Sequence, residues 1–181
     1  RSGRPMYDVE KTAYTLADAK SVAAKDGKTH QVLTVPLVFK TPEGVEVIKS
    51  FTFTQGDYPI TVKHQVVNRS QQNWQGQMFG QLKRDNSDDP GKSSQGIFTL
   101  GTYLGGAWGT PDAHYNKLKF SNFNDEKLNV EAKGGWVAMV QHYFVSAWIP
   151  GNLKLTQADG QPYVAKLESR QSADHMNIMG F

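Results

Sequence analysis

Residues 60–66 read ITVKHQV, a run in which apolar and polar side chains alternate. A period of two is typical of a β-strand with one buried face. The same period occurs at 33–40 and 51–54. Turn-forming residues separate these runs at 42–44, 55–57 and 68–70. Short strands at this spacing predict a mostly β protein, an antiparallel sandwich or barrel.

Two local signals modify this pattern. Pro36 has no N–H group for a ladder, so its strand is predicted to be at a sheet edge or broken there. The tripeptide Thr110-Pro111-Asp112 has the order of a helix N-cap and first turn, which predicts a short helix over 112–117. Residues 17–25 lack an apolar stripe and predict a loop or surface turn, and the polar stretch 85–95 predicts a loop.

Residues 136–149 are apolar at both parities of the strand period. This predicts a strand covered on both faces in the middle of the structure, with a buried helix as the alternative. The surrounding stretch 134–153 contains no Asp, Glu, Lys or Arg. Polar residues interrupt it and Gly134-Gly135 begin it, so we expect no transmembrane helix here.

The composition predicts one soluble domain over residues 1–181. There are 20 Lys and Arg against 17 Asp and Glu, and no cysteine, which excludes thiol chemistry and disulfides. The basic residues are scattered along the chain rather than clustered, so we expect no nucleic-acid partner.

The sequence contains no catalytic constellation. The five histidines lack metal-ligand spacing, and no G-x-S-x-G elbow is present. We therefore predict no catalytic residue, no metal and no cofactor, and a protein that is not an enzyme. A carboxylate pair contributed by distant strands, from Asp57, Asp112 and Glu131, remains open.

The segment 98–148 is rich in aromatic residues and in glycine. Large rigid rings beside turns can form a protein-binding surface, although most such rings belong to a core. Three of the rings, Tyr103, Trp108 and Tyr115, flank turn residues and are the ones expected to be exposed.

Several motifs lie in register over most of the chain. The most specific is KGGWVAM at 133–139, followed by Gln141, Tyr143-Phe144 and AWIP at 147–150. Others are Arg4-Pro5, Val9-Glu10-Lys11, Gly56-Asp57-Tyr58, Phe79-Gly80-Gln81-Leu82-Lys83 and Thr110-Pro111-Asp112. Together they resemble the periplasmic domain of the YidC family of bacterial membrane protein insertases.

The resemblance implies a twisted antiparallel β-sandwich, the supersandwich of galactose mutarotase-like proteins, with few short helices and truncated at both ends. It implies a position on the periplasmic side of the inner membrane, tethered by segments absent from this chain. It also implies a non-catalytic role in inserting and folding inner-membrane proteins, alone or with the Sec translocon. The implied partners are the Sec accessory subunits SecD and SecF, with nascent membrane-protein substrates as further candidates.

In that family the contact with SecD and SecF corresponds to about 98–148 here. The candidate partner-binding residues are therefore Phe98, Tyr103, Trp108, Tyr115 and Lys117. The residues expected to form a structural motif are Gly134, Gly135, Trp136 and Trp148.

Two other functions stay open at this point. One is a sugar-binding or mutarotase-like sandwich, which would need His142 or His114 to meet Glu131 as an acid–base pair. The other is a chaperone-like groove for unfolded chains, which would show an exposed apolar cleft.

Overall fold

The computed structural model describes residues 7–9, 13–23, 27–87, 103–141, 143–150 and 164–181. Of these residues, 53% lie in strands, and every strand pair is antiparallel. The chain divides into two compact units at Gly76/Gln77. The single domain predicted over residues 1–181 stays a prediction.

The first unit holds one five-stranded sheet. Its strands are β1 (Asp8–Val9), β2 (Lys20–Ala23), β3 (Thr29–Lys40), β4 (Val45–Thr54) and β5 (Ile60–Asn68). The order is β1-β3-β4-β5, with β2 also beside β3. A 3-10 turn, Leu16–Asp18, precedes β2 and is capped by the Thr15 N–H, which donates to Asp18 Oδ2 at 2.9 Å.

The period-two runs of the sequence lie within β3, β4 and β5, so those three strand predictions are confirmed. Their register brings the apolar parities together, with Val35 opposite Phe51 and Phe51 opposite Val62. β3 runs unbroken through Pro36. On its other side it pairs with β2 up to Val32 and with β1 from Leu37, so Pro36 lies between the two pairings, where a missing N–H costs little.

The second unit is a sandwich of two four-stranded sheets. Its strands are β6 (Gln81–Arg84), β7 (Gly105–Gly109), β8 (Asn116–Lys119), β9 (Asn129–Ala132), β10 (Trp136–Val140), β11 (Val145–Trp148), β12 (Ala165–Gln171) and β13 (Asn177–Gly180). One sheet has the order β11-β10-β7-β8 and the other β6-β13-β12-β9. A 3-10 turn, Phe120–Asn122, follows β8.

A shared core joins the two sheets of this unit. Val137 and Met139 of β10 pack with Leu167 of β12 and Met179 of β13, and Phe123 fills the space beside them. Phe123, Leu167 and Met179 are fully buried. The predicted antiparallel β-sandwich is therefore confirmed.

Three sequence predictions were wrong, each because a hairpin ladder between consecutive strands overrides the signal of a single segment. The helix predicted over 112–117 is absent: 111–113 form bends and Asn116–Lys119 pair with β7. The single strand predicted over 136–149 is a hairpin, β10 and β11, with Gln141 N–H donating to Phe144 C=O at 2.8 Å. Within 17–25, Lys20–Ala23 form a strand.

The predicted polar loop is described only at its start, where Ser87 Oγ donates to Asp85 Oδ1 at 2.5 Å. Residues 88–95 lie outside the described part. Across the described ranges, helices are too short or too polar to cross a bilayer.

Candidate interaction surface

The strand β7 has the sequence GGAWG, with one face toward the core and the other away from it. Side chains alternate across a strand, so Gly106 and Trp108 share the core face while Gly105, Ala107 and Gly109 share the outer face. Trp108 packs against the core cluster, which fixes this parity. The outer face of this sheet carries the candidate surface.

Two glycines let aromatic rings lie directly on the outer face. A Cβ at Gly105 would come within 2.5 Å of the Tyr103 hydroxyl oxygen and 2.7 Å of the Leu118 carbonyl oxygen. A Cβ at Gly109 would come within 2.6 Å of Trp136 Nε1. Close backbone approach of this kind is what glycine in a strand allows. The Tyr103 and Trp136 rings therefore occupy the space that a side chain at position 105 or 109 would fill.

A cation completes the surface. Lys117 of β8 projects from the same face, with Nζ 4.8 Å from the ring centroid of Tyr103 and 5.8 Å from that of Tyr115. The Tyr115 and Trp136 rings are 5.9 Å apart at an interplanar angle of 35°. We call these four residues (Tyr103, Lys117, Tyr115 and Trp136) the aromatic row.

Within the row, Tyr103 is the anchored member and Tyr115 the accessible one. The Tyr103 hydroxyl donates to the Gly106 carbonyl at 2.5 Å. Burial raises the pKa of Tyr103 above its usual value, so the ring stays neutral at physiological pH. Tyr115 is 57% exposed, so the row is open to a partner at that end.

The structure brings together three of the five residues predicted to bind a partner, Tyr103, Tyr115 and Lys117. Tyr103 and Trp108, both expected to be exposed, are half-buried instead, Tyr103 on the outer face and Trp108 on the core face. Phe98 lies outside the described residues. Partner binding by any of them stays a prediction.

Trp136, predicted to belong to a structural motif, is also a member of the row, which the sequence did not indicate. The signal that could have located it is the pairing of an aromatic residue with glycine across two strands, since Trp136 is opposite Gly109.

The remaining motif residues lie at the open end of the β10–β11 hairpin, opposite its turn. Gly134 and Gly135 have φ values of 97° and 123°, which favour glycine, and they make the turn into β10. Trp148 on β11 donates from Nε1 to the Gln81 carbonyl at 3.1 Å and packs edge-on against Phe181 at 6.1 Å.

The structure adds no support for an acid–base pair. Within the described ranges, no hydrogen bond or ion pair joins His114 to Glu131, both of which are exposed. His142 lies outside those ranges. No group of three or more His, Asp or Glu suited to a metal ion occurs among the residues that the structure describes.

The fold and this surface define the chain's class as an antiparallel β-sandwich domain with an exposed aromatic and cationic face. Residues 2–177 match the family model of the YidC periplasmic domain, and the chain belongs to that family.

Curated relatives support the same family. The membrane protein insertase YidC of Stutzerimonas stutzeri is 45% identical over 149 residues, which cover 82% of this chain and 24% of that protein. The protein of the same name from Alcanivorax borkumensis is 43% identical over 150 residues, with 82% and 24% covered. The one from Marinomonas sp. is 40% identical over 179 residues, with 99% and 28% covered. The chain thus spans about a quarter of the length of these relatives.

Proposed function

We propose that this chain is a non-catalytic interaction domain on the periplasmic side of the bacterial inner membrane. In this proposal it belongs to an insertase that inserts and folds inner-membrane proteins, alone or with the Sec translocon. The family match and the insertase relatives support the proposal. The domain's contribution is recognition of other proteins.

The partner surface we propose is the aromatic row, and the partners are SecD and SecF. The observation that carries this assignment is the position of Lys117 between two tyrosine rings, one of them 57% exposed. Held in this way, the cation loses little rotamer freedom when a partner binds. Tyrosine and tryptophan are also enriched among residues that dominate binding energy.

The test uses the whole insertase in membranes that contain SecD and SecF. The double variant Tyr115→Ala with Lys117→Ala removes the accessible ring and the cation. Lys166→Ala is the matched control, because Lys166 is an exposed lysine of the other sheet and its loss changes the charge equally. Trp108 is left unchanged because its truncation would open the core.

We expect crosslinking or co-purification with SecD and SecF to fall by about tenfold or more in the double variant, since truncated hot-spot residues typically cost above ~1–2 kcal/mol. The control should retain full contact. Undiminished contact in a folded double variant would remove the aromatic row from the proposal, and loss of contact in both variants would point to net charge instead.

A further inference from the structure

β8 is an edge strand whose two exposed lysines lie on one face. It pairs with β7 on one side, and in the described part of the chain no strand pairs with its other side. Lys117 lies opposite Ala107, and Lys119 lies opposite Gly105. Paired residues share a face of the sheet, so both lysines project from the outer face that carries the aromatic row. Leu118 between them is buried in the core.

The backbone of β8 directs its outward hydrogen-bonding groups from the same two lysines. The Leu118 carbonyl oxygen lies 2.7 Å from the position that a Cβ at Gly105 would take, so this carbonyl points toward β7. Successive residues of an antiparallel strand alternate between hydrogen-bonded and non-hydrogen-bonded pairs with the neighbouring strand. The N–H and C=O groups of Lys117 and Lys119 therefore point to the open edge.

The charge of this edge is not neutralised by the residues that the structure describes. No ion pair among them involves Lys117 or Lys119. Lys117 Nζ lies 4.8 Å from the centroid of the Tyr103 ring, and that ring lies on Gly105 of β7. The ammonium group is thus held above the sheet rather than across its edge, where it would obstruct an incoming strand.

We propose that an extended acidic segment of the partner protein adds to the sheet beside β8, with carboxylates at alternate positions facing Lys117 and Lys119. Residues two apart on a strand share a face and lie about 6–7 Å apart, so alternate side chains of the added strand match the spacing of the two lysines. Main-chain hydrogen bonds supply affinity, and the opposite charges select the segment. The inference rests on the proposed function, because it gives the chemistry of the partner that meets the aromatic row.

The two lysines disfavour other occupants of this edge. Edge lysines protect against pairing with uncharged strands, since such a strand offers the cations no partner. A second copy paired through its own β8 would place lysines opposite lysines on one face, which destabilises a cross-strand pair. An acidic segment has the charge that complements the edge.

The test measures binding of three end-capped, fluorescein-labelled eight-residue peptides to the 181-residue chain. The first alternates glutamate with threonine, and the second alternates glutamine with threonine. The third is the first peptide with its glutamate amides methylated, because residues opposite Lys117 and Lys119 direct their N–H groups to β8. The second peptide lacks the charge and the third lacks the ladder, while the protein is unchanged.

Two substitutions at Lys119 separate the charge from the hydrogen bond. Lys119→Gln removes the charge, whereas Lys119→Pro removes the charge and the outward N–H. The φ of Lys119 is −64°, which suits proline. Lys166→Gln is the matched control, because Lys166 is an exposed lysine on a central strand of the other sheet. Circular dichroism melting shows whether each variant is folded.

We expect saturable binding of the glutamate peptide that weakens about two- to fivefold in Lys119→Gln and up to about tenfold further in Lys119→Pro. Lys166→Gln should bind as the wild type does, and the glutamine and methylated peptides should bind far more weakly. The proposal is overturned if either of these two peptides binds as tightly as the glutamate peptide, or if Lys166→Gln weakens binding equally.

Two further results would name a different occupant and overturn the proposal. Concentration-dependent dimerisation that Lys119→Pro abolishes would identify a second copy. Binding to phosphatidylglycerol vesicles without binding to the glutamate peptide would identify a lipid surface.

Crosslinking in the whole insertase separates this inference from the proposed function. If Tyr115→Ala with Lys117→Ala loses contact with SecD and SecF while Lys119→Pro retains it, strand addition is overturned and the proposed partner surface stands. If the glutamate peptide binds as expected while contact with SecD and SecF is undiminished in both variants, strand addition stands and the proposed partners are wrong.

Discussion

The indole ring of Trp136 lies against the backbone of Gly109, its partner across the β7–β10 ladder. A methyl group at position 109 would come within 2.6 Å of Nε1 and would also meet the carbonyl oxygen of His114. The ring and the glycine therefore form one unit, and the aromatic row depends on the absence of a side chain beneath it.

Gly109→Ala should destabilise the protein by about 1–3 kcal/mol, the usual cost of overpacking, because a backbone carbonyl is one of the atoms that must move. Denaturant unfolding followed by tryptophan fluorescence would measure it. Gly27→Ala is the control: Gly27 has φ 78° and no atom within 4 Å of the position that a Cβ would take, so that variant adds backbone strain of about 1 kcal/mol without crowding. An unchanged near-ultraviolet spectrum in Gly109→Ala would contradict the contact.

Lys117 and Tyr103 should be energetically coupled. The 4.8 Å separation between Nζ and the ring centroid predicts a coupling free energy of about 0.5–1 kcal/mol. A double-mutant cycle with Lys117→Met and Tyr103→Leu would measure it. The same cycle with Lys166→Met in place of Lys117→Met should give a value near zero. Coupling equal in both cycles would mean that the charge acts at long range rather than on the ring.

His64 should make stability depend on pH. It faces Lys49 across the β4–β5 ladder, and its pKa is lowered by burial and then by the charge of Lys49. The unfolded chain therefore takes up this proton first as the pH falls below about 6.5. The contribution of His64 to the free energy of unfolding is complete above that pH. It decreases as the pH falls further, since the unfolded state binds more protons than the folded state.

Unfolding measurements between pH 5 and pH 7.5 would test this, with His64→Gln as the variant and the wild type as the reference. We expect His64→Gln to flatten part of the profile of the free energy of unfolding against pH. Parallel profiles for the wild type and His64→Gln would show that the group does not contribute.

Ser169 should be costly to replace despite its size. It is buried, its Oγ accepts from the Leu128 N–H at 2.8 Å, and its own N–H donates to the Leu128 carbonyl at 3.0 Å. Ser169→Ala leaves a buried N–H without its partner, which costs about 1–3 kcal/mol. Ser121→Ala, at an exposed hydroxyl, should stay within about 0.5 kcal/mol. A thermal melt that ranks the two variants equally would contradict the assignment.

The sequence predicted the strands whose evidence is local. β3, β4 and β5 each contain a run with a period of two, and this local pattern marks them as strands. β8 was missed because Thr110-Pro111-Asp112 resembles a helix start, whereas the strand exists through its ladder with β7. The β10–β11 hairpin was missed because its turn, at 141–144, contains no glycine, asparagine or proline.

The sequence indicated the segment that holds the aromatic row, but not which side chains of that segment face away from the core. The segment 98–148 contains the aromatic row, and Tyr115 is exposed as expected. Trp108 has the same type of sequence context and lies on the core side. Which parity of β7 meets the core depends on where the second sheet packs, and that is a long-range property that no single segment encodes.

The uneven burial of the two units has a consequence for how the chain opens. Among the described residues up to position 76, Val45 is the one hydrophobic side chain classed as buried, although β3, β4 and β5 form the two longest ladders. Amide hydrogens of this unit should exchange with solvent by local opening, because the separation of a strand exposes little buried apolar surface to water. The amides of β10 and β12, which flank the core of the second unit, should exchange last. Limited proteolysis of the native chain should accordingly release a fragment that begins after the first sheet.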